Sequence, residues 1–258
     1  MKEHAHGLPH NYQISSRAQA LPQQAAAVRG SRGRGKRAFA FDGANSSLRS
    51  AVRRLENERD MKKFLHVGCG SGRKEHTTKG FNNESWQEIR FDIDPKWSPD
   101  LLGTIVDMSA VANASVDAIF SSHNIEHVYA HEVEQVLSEF FRVLSNDGFV
   151  ILTCPDLQSV CHAVAQDKLL EPLYQSPHGP ITALDILYGH RQFIAAGDYF
   201  MAHKCGFTWT TLSKSFLDAG FRSVFGGSRP HAFDIWIAAF KRSKTRDEML
   251  PFVKEHLP

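Results

Sequence analysis

Cysteine is scarce in this chain of 258 residues: there are four, Cys69, Cys154, Cys161 and Cys205, and none forms a C-x-x-C pair. That excludes a dense disulfide framework and a paired redox or metal motif, so all four read as reduced thiols of a cytoplasmic protein. Long apolar runs are absent too. None approaches the roughly 18 residues a membrane-spanning helix needs. Net charge is nearly absent at +2, although its distribution is uneven. The length suits one α/β domain with a sizeable core and additional segments.

The unevenness marks a boundary. Residues 1–60 hold 11 Lys and Arg against 5 Asp and Glu, whereas the remainder holds 19 against 23. The first part is rich in Ala, Gln, Ser, Gly and Arg, includes the run from Arg29 to Arg37, and has few aliphatic side chains to bury. It is expected to be a basic, disordered extension. Arginines among glycines suit phosphate contacts, so nucleic acid is a partner only through this arm. An Arg-rich targeting leader and a simple upstream extension ending before Met61-Lys62-Lys63 are the other readings.

What is present begins at Phe64, where Phe-Leu-His-Val runs into Gly68-Cys69-Gly70-Ser71-Gly72 and an acid, Asp92, closes a second apolar strand twenty residues on. Glycines let the chain turn sharply and bring backbone N–H groups close to a ligand, and the acid accepts hydrogen bonds from ribose hydroxyls. A dinucleotide loop needs G-x-G-x-x-G, but Arg73 stands where its third glycine would fall. A ligand without pyrophosphate is the better match.

These residues resemble motif I of the class I S-adenosylmethionine-dependent methyltransferases. Further runs follow in the family's order: Glu88 to Asp94, with Asp92 at the ribose position and Asp94 as runner-up; Thr104 to Met108, whose Asp107 matches the acid facing adenine; then Val116 to Ser122 and Glu126-His127. Phe141-Arg142-Val143-Leu144 with Gly148 most resembles the type 11 group, which includes quinone C-methyltransferases. The resemblance covers about residues 62–155. It implies a doubly wound, seven-stranded, mostly parallel α/β sheet with an antiparallel last strand, S-adenosyl-L-methionine as cofactor, and His66, Gly68, Cys69, Gly70, Gly72, Asp92, Ile93, Asp107, Met108 and Ser122 around it. His66 stands where most members carry Glu or Asp, which leaves a non-catalytic cofactor-binding protein as the alternative.

Pattern orders the rest. Strands are expected near 63–67, 88–91, 104–106, 116–120, 149–153, 221–225 and 233–240, the last two as a hairpin. Val133, Val136, Leu137, Phe140, Phe141 and Leu144 share a face of a helix over 130–144. Thr208 caps a second over 209–219, with Leu212, Phe216 and Leu217 inward and Gly220 past its end. Gly72 to Trp86 lacks helical spacing, so a long loop or shortened helix replaces the first helix. The methyltransferase domain is expected over 61–243, with 244–258 as a tail.

His123-Asn124-Ile125-Glu126-His127 also matches the H-x-x-E-H of inverted zinc peptidases, with His131 continuing the spacing. A zinc hydrolase using His123, Glu126 and His127 is therefore a further alternative. The motif follows directly on a strand rather than lying inside a helix, and the favoured reading has no metal. The long connection 155–207 is expected to select the acceptor; it carries Tyr174, His178, Asp185, Tyr188, His190, Arg191, Tyr199, His203 and Lys204. A small-molecule or saccharide acceptor fits this mixture, with His123, His190 and His203 as candidate catalytic bases.

Overall fold

The structure is a computed structural model and describes residues 13–16 and 61–258. Five parallel strands carry the fold: β2 (Lys62–Val67), β3 (Trp86–Asp92), β4 (Leu101–Leu102), β5 (Val116–Ser122) and β6 (Leu144–Pro155). The hairpin β9 (Ser223–Arg229) and β10 (Asp234–Phe240) joins through β10, which runs antiparallel to β6. β1 (Gln13–Ser16) pairs with β9, giving the order β1-β9-β10-β6-β5-β2-β3-β4. Without β1 this is the seven-stranded sheet with one reversed strand that the sequence implies. The rest of the expected disordered arm lies outside the described residues.

Alternation along β2 separates two cores. Leu65 and Val67 face helices α1 (Val133–Val143) and α5 (Trp209–Asp218), which bury Val136, Leu137, Phe140, Leu212 and Phe216 completely. Each such side chain contributes about 1.5–3 kcal/mol by leaving water. Phe64 faces the other way, into a cluster with Phe81, Trp86, Phe120, Phe149 and Phe240. The missing first helix leaves only the 3-10 turn Lys74–His76 here. The vacated face is covered from the far end of the chain. Residues 244–258, expected as a tail, form helix α6 (Arg246–His256), whose Met249, Phe252 and His256 pack on Phe81 and Phe149. A Cβ on Gly80 would overlap the His256 ring.

The third strand is displaced from its expected place. Only Leu101 and Leu102 pair with β3, while Thr104 and Asp107 close a turn on each other, the Asp107 N–H donating to Thr104 O at 3.1 Å. Residues 104–106 are therefore a turn, because the β4 edge ends once Gly103 donates to Asp92 O. The connection 155–207 is a folded cap: helix α2 (Leu157–Ala165), hairpin β7 (Pro172–Ser176) and β8 (Gly179–Thr182), then helices α3 (Ala183–Tyr188) and α4 (Arg191–Ala195). Val160, Ile181, Ala183 and Ile186 give it a small core of its own.

Candidate active site

The glycine loop leaves β2 at its carboxyl end and is held from below by β3. Gly70 adopts φ +52°, a left-handed conformation that glycine enters without a Cβ penalty, and its N–H donates to Asp92 Oδ2 at 2.7 Å. Asp92 Oδ1 accepts from the Asp94 N–H at 2.9 Å. Each carboxylate oxygen has capacity for a second bond, as a pair of ribose hydroxyls requires. A Cβ on Gly70 would meet nothing within 4 Å, so the loop's open side lies there. Gly68 is needed for another reason: its missing side chain is replaced by the amide of Asn124.

Two groups that sequence reasoning passed over fix this loop. Arg90, 3% exposed, donates to Gly70 O (2.6 Å), Gly72 O (3.2 Å), Trp97 O (3.1 Å) and Ser98 O (2.9 Å), joining the glycine loop to the turn after β3. His66 donates from Nδ1 to Glu88 Oε1 at 2.7 Å, and Glu88 Oε2 accepts from the Lys74 N–H at 3.0 Å. His66 thus holds a carboxylate of β3, two residues before Arg90, against the base of the loop. Cys69 is buried, and that burial pushes its thiol up to about 11, so it is no nucleophile near neutrality.

The loop carrying Asp107 and Met108 is tied to α1. Met108 is buried; its N–H donates to Glu139 Oε2 at 2.8 Å and its carbonyl accepts from Arg142 at 2.8 Å. Arg142 is the arginine of the Phe-Arg-Val-Leu run, so that motif positions the loop carrying Asp107 and Met108. Asp107 accepts from the Ser109 N–H at 3.0 Å, which lowers its pKa, and Ile93 stands 47% exposed beside Asp92.

On the other side of the crevice the expected residues divide. Ser122 ends β5, and His123 follows with φ +47° and a half-exposed side chain. Ile125–His127 is a 3-10 turn and Ala130–Glu132 another, so His123, His127 and His131 share no helical face. The peptidase geometry is absent, and His131 stacks on Tyr129 instead. The residue that joins Glu126 and His127 is His203, from the cap. Burial works against ionisation of Glu126, but His123, His127 and His203 outweigh it and lower its pKa; burial lowers that of His203.

Asp185 and Arg191, also candidates for acceptor contact, are occupied structurally. Asp185 closes a capping box with Thr182 and pairs with Arg191 at 2.7 Å, which together overcome desolvation and hold its carboxyl well below the usual range. His178 packs on Phe193, and Lys204 lies 5.1 Å from the Tyr129 ring. Tyr188 and Tyr199 are 64% and 72% exposed. The His190 ring packs tilted against Phe193, centroids 4.7 Å apart, and both its nitrogens are buried without a hydrogen bond.

A family model described as a methyltransferase domain matches residues 65–152, from β2 through most of β6. The chain carries a type 11 S-adenosylmethionine-dependent methyltransferase domain. No curated protein matches this methyltransferase. Solved structures that resemble it include a SAM-dependent methyltransferase from Archaeoglobus fulgidus, at 14% identity over 78% of this chain and 96% of that one, TM-score 0.44. Another, from Methanosarcina mazei, has 17% identity over 74% and 98%, TM-score 0.46. Among the described residues, no helix is long and apolar enough to cross a membrane.

Proposed function

We propose that the methyltransferase transfers a methyl group to a small-molecule or saccharide acceptor held between the carboxyl ends of the strands and the cap over 155–207. The observation that carries this reading is the course of segment 198–205. Asp198 pairs with Lys96 at 2.8 Å, and Lys96 also pairs with Asp94 at 2.6 Å, next to the ribose acid. Six and seven residues later the N–H groups of Lys204 and Cys205 donate to Glu126 O at 2.8 and 3.2 Å. The segment thus spans the crevice from the end of β3 to the end of β5, where acceptors bind in open α/β sheets.

Bound S-adenosylmethionine supplies an electrophilic methyl on a sulfonium. An acceptor's electron pair would take that methyl carbon as the C–S bond breaks, the bond's electrons remaining on sulfur. Gly68, Gly70 and Gly72 shape the loop, Asp92 would accept from the ribose hydroxyls, and Ile93, Asp107, Met108 and Ser122 would border the remaining cofactor surface. This chain's main contribution is orientation, which supplies several kcal/mol in well-aligned displacements. A hydroxyl acceptor also loses a proton, for which His123, His190 and His203 are the candidate bases. His190 fits best an acceptor polar group that completes its missing hydrogen bonds. Four free thiols support a reducing, cytoplasmic setting.

The test is a cell extract incubated with the full chain and methyl-labelled cofactor, followed by mass spectrometry of small molecules and released glycans. Label appearing only in protein or nucleic acid would overturn the acceptor class.

A further inference from the structure

Beyond the cofactor crevice, one set of side chains lacks the partners that its burial demands. Glu126 is 1% exposed, and neither of its carboxylate oxygens has a hydrogen bond. His123 Nδ1 makes an ion-pair contact with Oε1 at 3.4 Å that completes no hydrogen bond. An ionised carboxylate left without water or a donor costs several kcal/mol, so a structure that keeps one buried normally supplies a cation to it.

The groups facing Glu126 are imidazoles held in a defined orientation. His127 Nδ1 lies 3.1 Å from Ala202 O, and His203 Nδ1 lies 2.7 Å from Ile186 O. A carbonyl oxygen only accepts, so Nδ1 carries a proton in both rings and Nε2 is the nitrogen left to ligate. This is how metal-ligating histidines are held, with the second nitrogen donating to a backbone carbonyl that fixes tautomer and ring orientation. One Glu126 oxygen and one nitrogen from each ring lie within 4.8 Å of one another. The two rings meet nearly edge to face, with centroids 4.8 Å apart.

We propose that Glu126, His127 and His203 bind one divalent transition-metal ion of the zinc class. Two neutral imidazoles and one carboxylate form the ligand set of an open zinc site, whereas calcium and magnesium require mostly oxygen ligands that this cluster does not offer. Ligands about 2.0–2.1 Å from a tetrahedral zinc lie about 3.4 Å apart, so the cluster contracts by about an ångström as the ion enters. The site differs from the H-x-x-E-H arrangement in sequence: Glu126 is a ligand rather than a base, His123 lies outside the set, and the third ligand comes from the cap. The ion fastens the cap to the end of β5, two residues beyond the Asn124 amide that fills the space at Gly68. A fourth position stays open to water or to an acceptor oxygen. With His203 a ligand, His123 and His190 are left as the candidate bases; the proposal does not depend on which acceptor is methylated.

The experiment is a zinc titration of the full chain, stripped with a chelator and dialysed, in competition with a chromophoric chelator. One zinc per chain is expected, and cobalt as a stand-in should give the visible absorption of a low-symmetry site. Glu126→Gln, His127→Gln and His203→Gln should each weaken zinc binding at least tenfold, while His131→Gln on the exposed turn leaves it unchanged. Circular dichroism reports whether each variant folds; one that does not is set aside, and the others decide with the parent stoichiometry. No stoichiometric zinc on the parent chain, or equal binding by parent and folded ligand variants, overturns the proposal. Failure to methylate any small molecule would count against the proposed function and leave the metal count standing.

Discussion

On the side of the crevice built by β2 and β3, Asp92 is bonded to two backbone N–H groups, Arg90 to four carbonyls, and His66 to Glu88. On the side built by β5, β6 and the cap, Ser121 Oγ, Asn124 Nδ2, Thr153 Oγ1, both Glu126 oxygens and both His190 nitrogens are buried without a partner. These are all such side-chain atoms among the described residues. Each orphan costs about 1–3 kcal/mol, so the second side carries a cost the first avoids. On the function and metal site proposed above, the difference separates two tasks. A half that always meets the same cofactor gains from a finished, rigid frame, whereas groups that receive an acceptor or an ion complete their bonding only when it arrives.

The largest test attacks the finished side from beneath. His256, 3% exposed among Phe81, Phe149 and Phe252, bonds through Nδ1 to Thr78 Oγ1 at 2.9 Å, and burial pushes its pKa down from 6.5 to about 4. Above pH 6.5 the ring is neutral folded or unfolded and contributes no pH dependence. Below it the unfolded chain takes up the proton first, so stability falls down to pH 4, by about 3 kcal/mol in all. Denaturant melts across that range should show the loss, and His256→Gln should flatten it. An equally steep acid limb in the variant would assign the loss elsewhere.

Next, Asp92→Ala should cost about 1.5–3 kcal/mol of cofactor binding by calorimetry, since it removes charge-assisted bonds to the ligand and frees the Gly70 N–H. Asp94→Ala should have a much smaller effect, because its carboxylate is engaged with Lys96. Reversed effects would move the ribose to Asp94.

On the unfinished side, Tyr188→Phe and His190→Ala should lower turnover of the identified acceptor about tenfold while leaving the cofactor dissociation constant unchanged. A matching loss of cofactor affinity would erase the division between the two sides. The smallest effect is expected from Lys96→Met, which releases one exposed tether of segment 198–205. About a twofold rise in acceptor KM, mimicked in the parent by added salt, would fit an exposed pair.

The frame was legible in sequence where the determining interactions are local. A glycine loop placed after a strand, an acid ending the next strand, and apolar residues at helical spacing over 133–143 and 209–218 each declare themselves within a short window. Asp92 and Gly70 meet because adjacent parallel strands end together. The third strand was misplaced by a few residues because a two-residue edge strand has too little pattern to separate it from the turn that follows. The tail was misread for a related reason: a helix containing Pro251 and several charges has a weak apolar stripe, and only the empty face over Phe81 and Phe149 makes it a core element.

The sequence by itself determined the sheet, its reversed strand, the cofactor loop and the presence of a long insert, since these follow from periodicity, glycine conformation and spacing along the chain. Tertiary structure alone decided which polar groups meet. Glu88 meets His66 because neighbouring strands bring them within 2.7 Å, and His203 reaches Glu126 because the cap folds back over β5. Contacts between residues so far apart depend on how the chain returns through space, and no local pattern records that path.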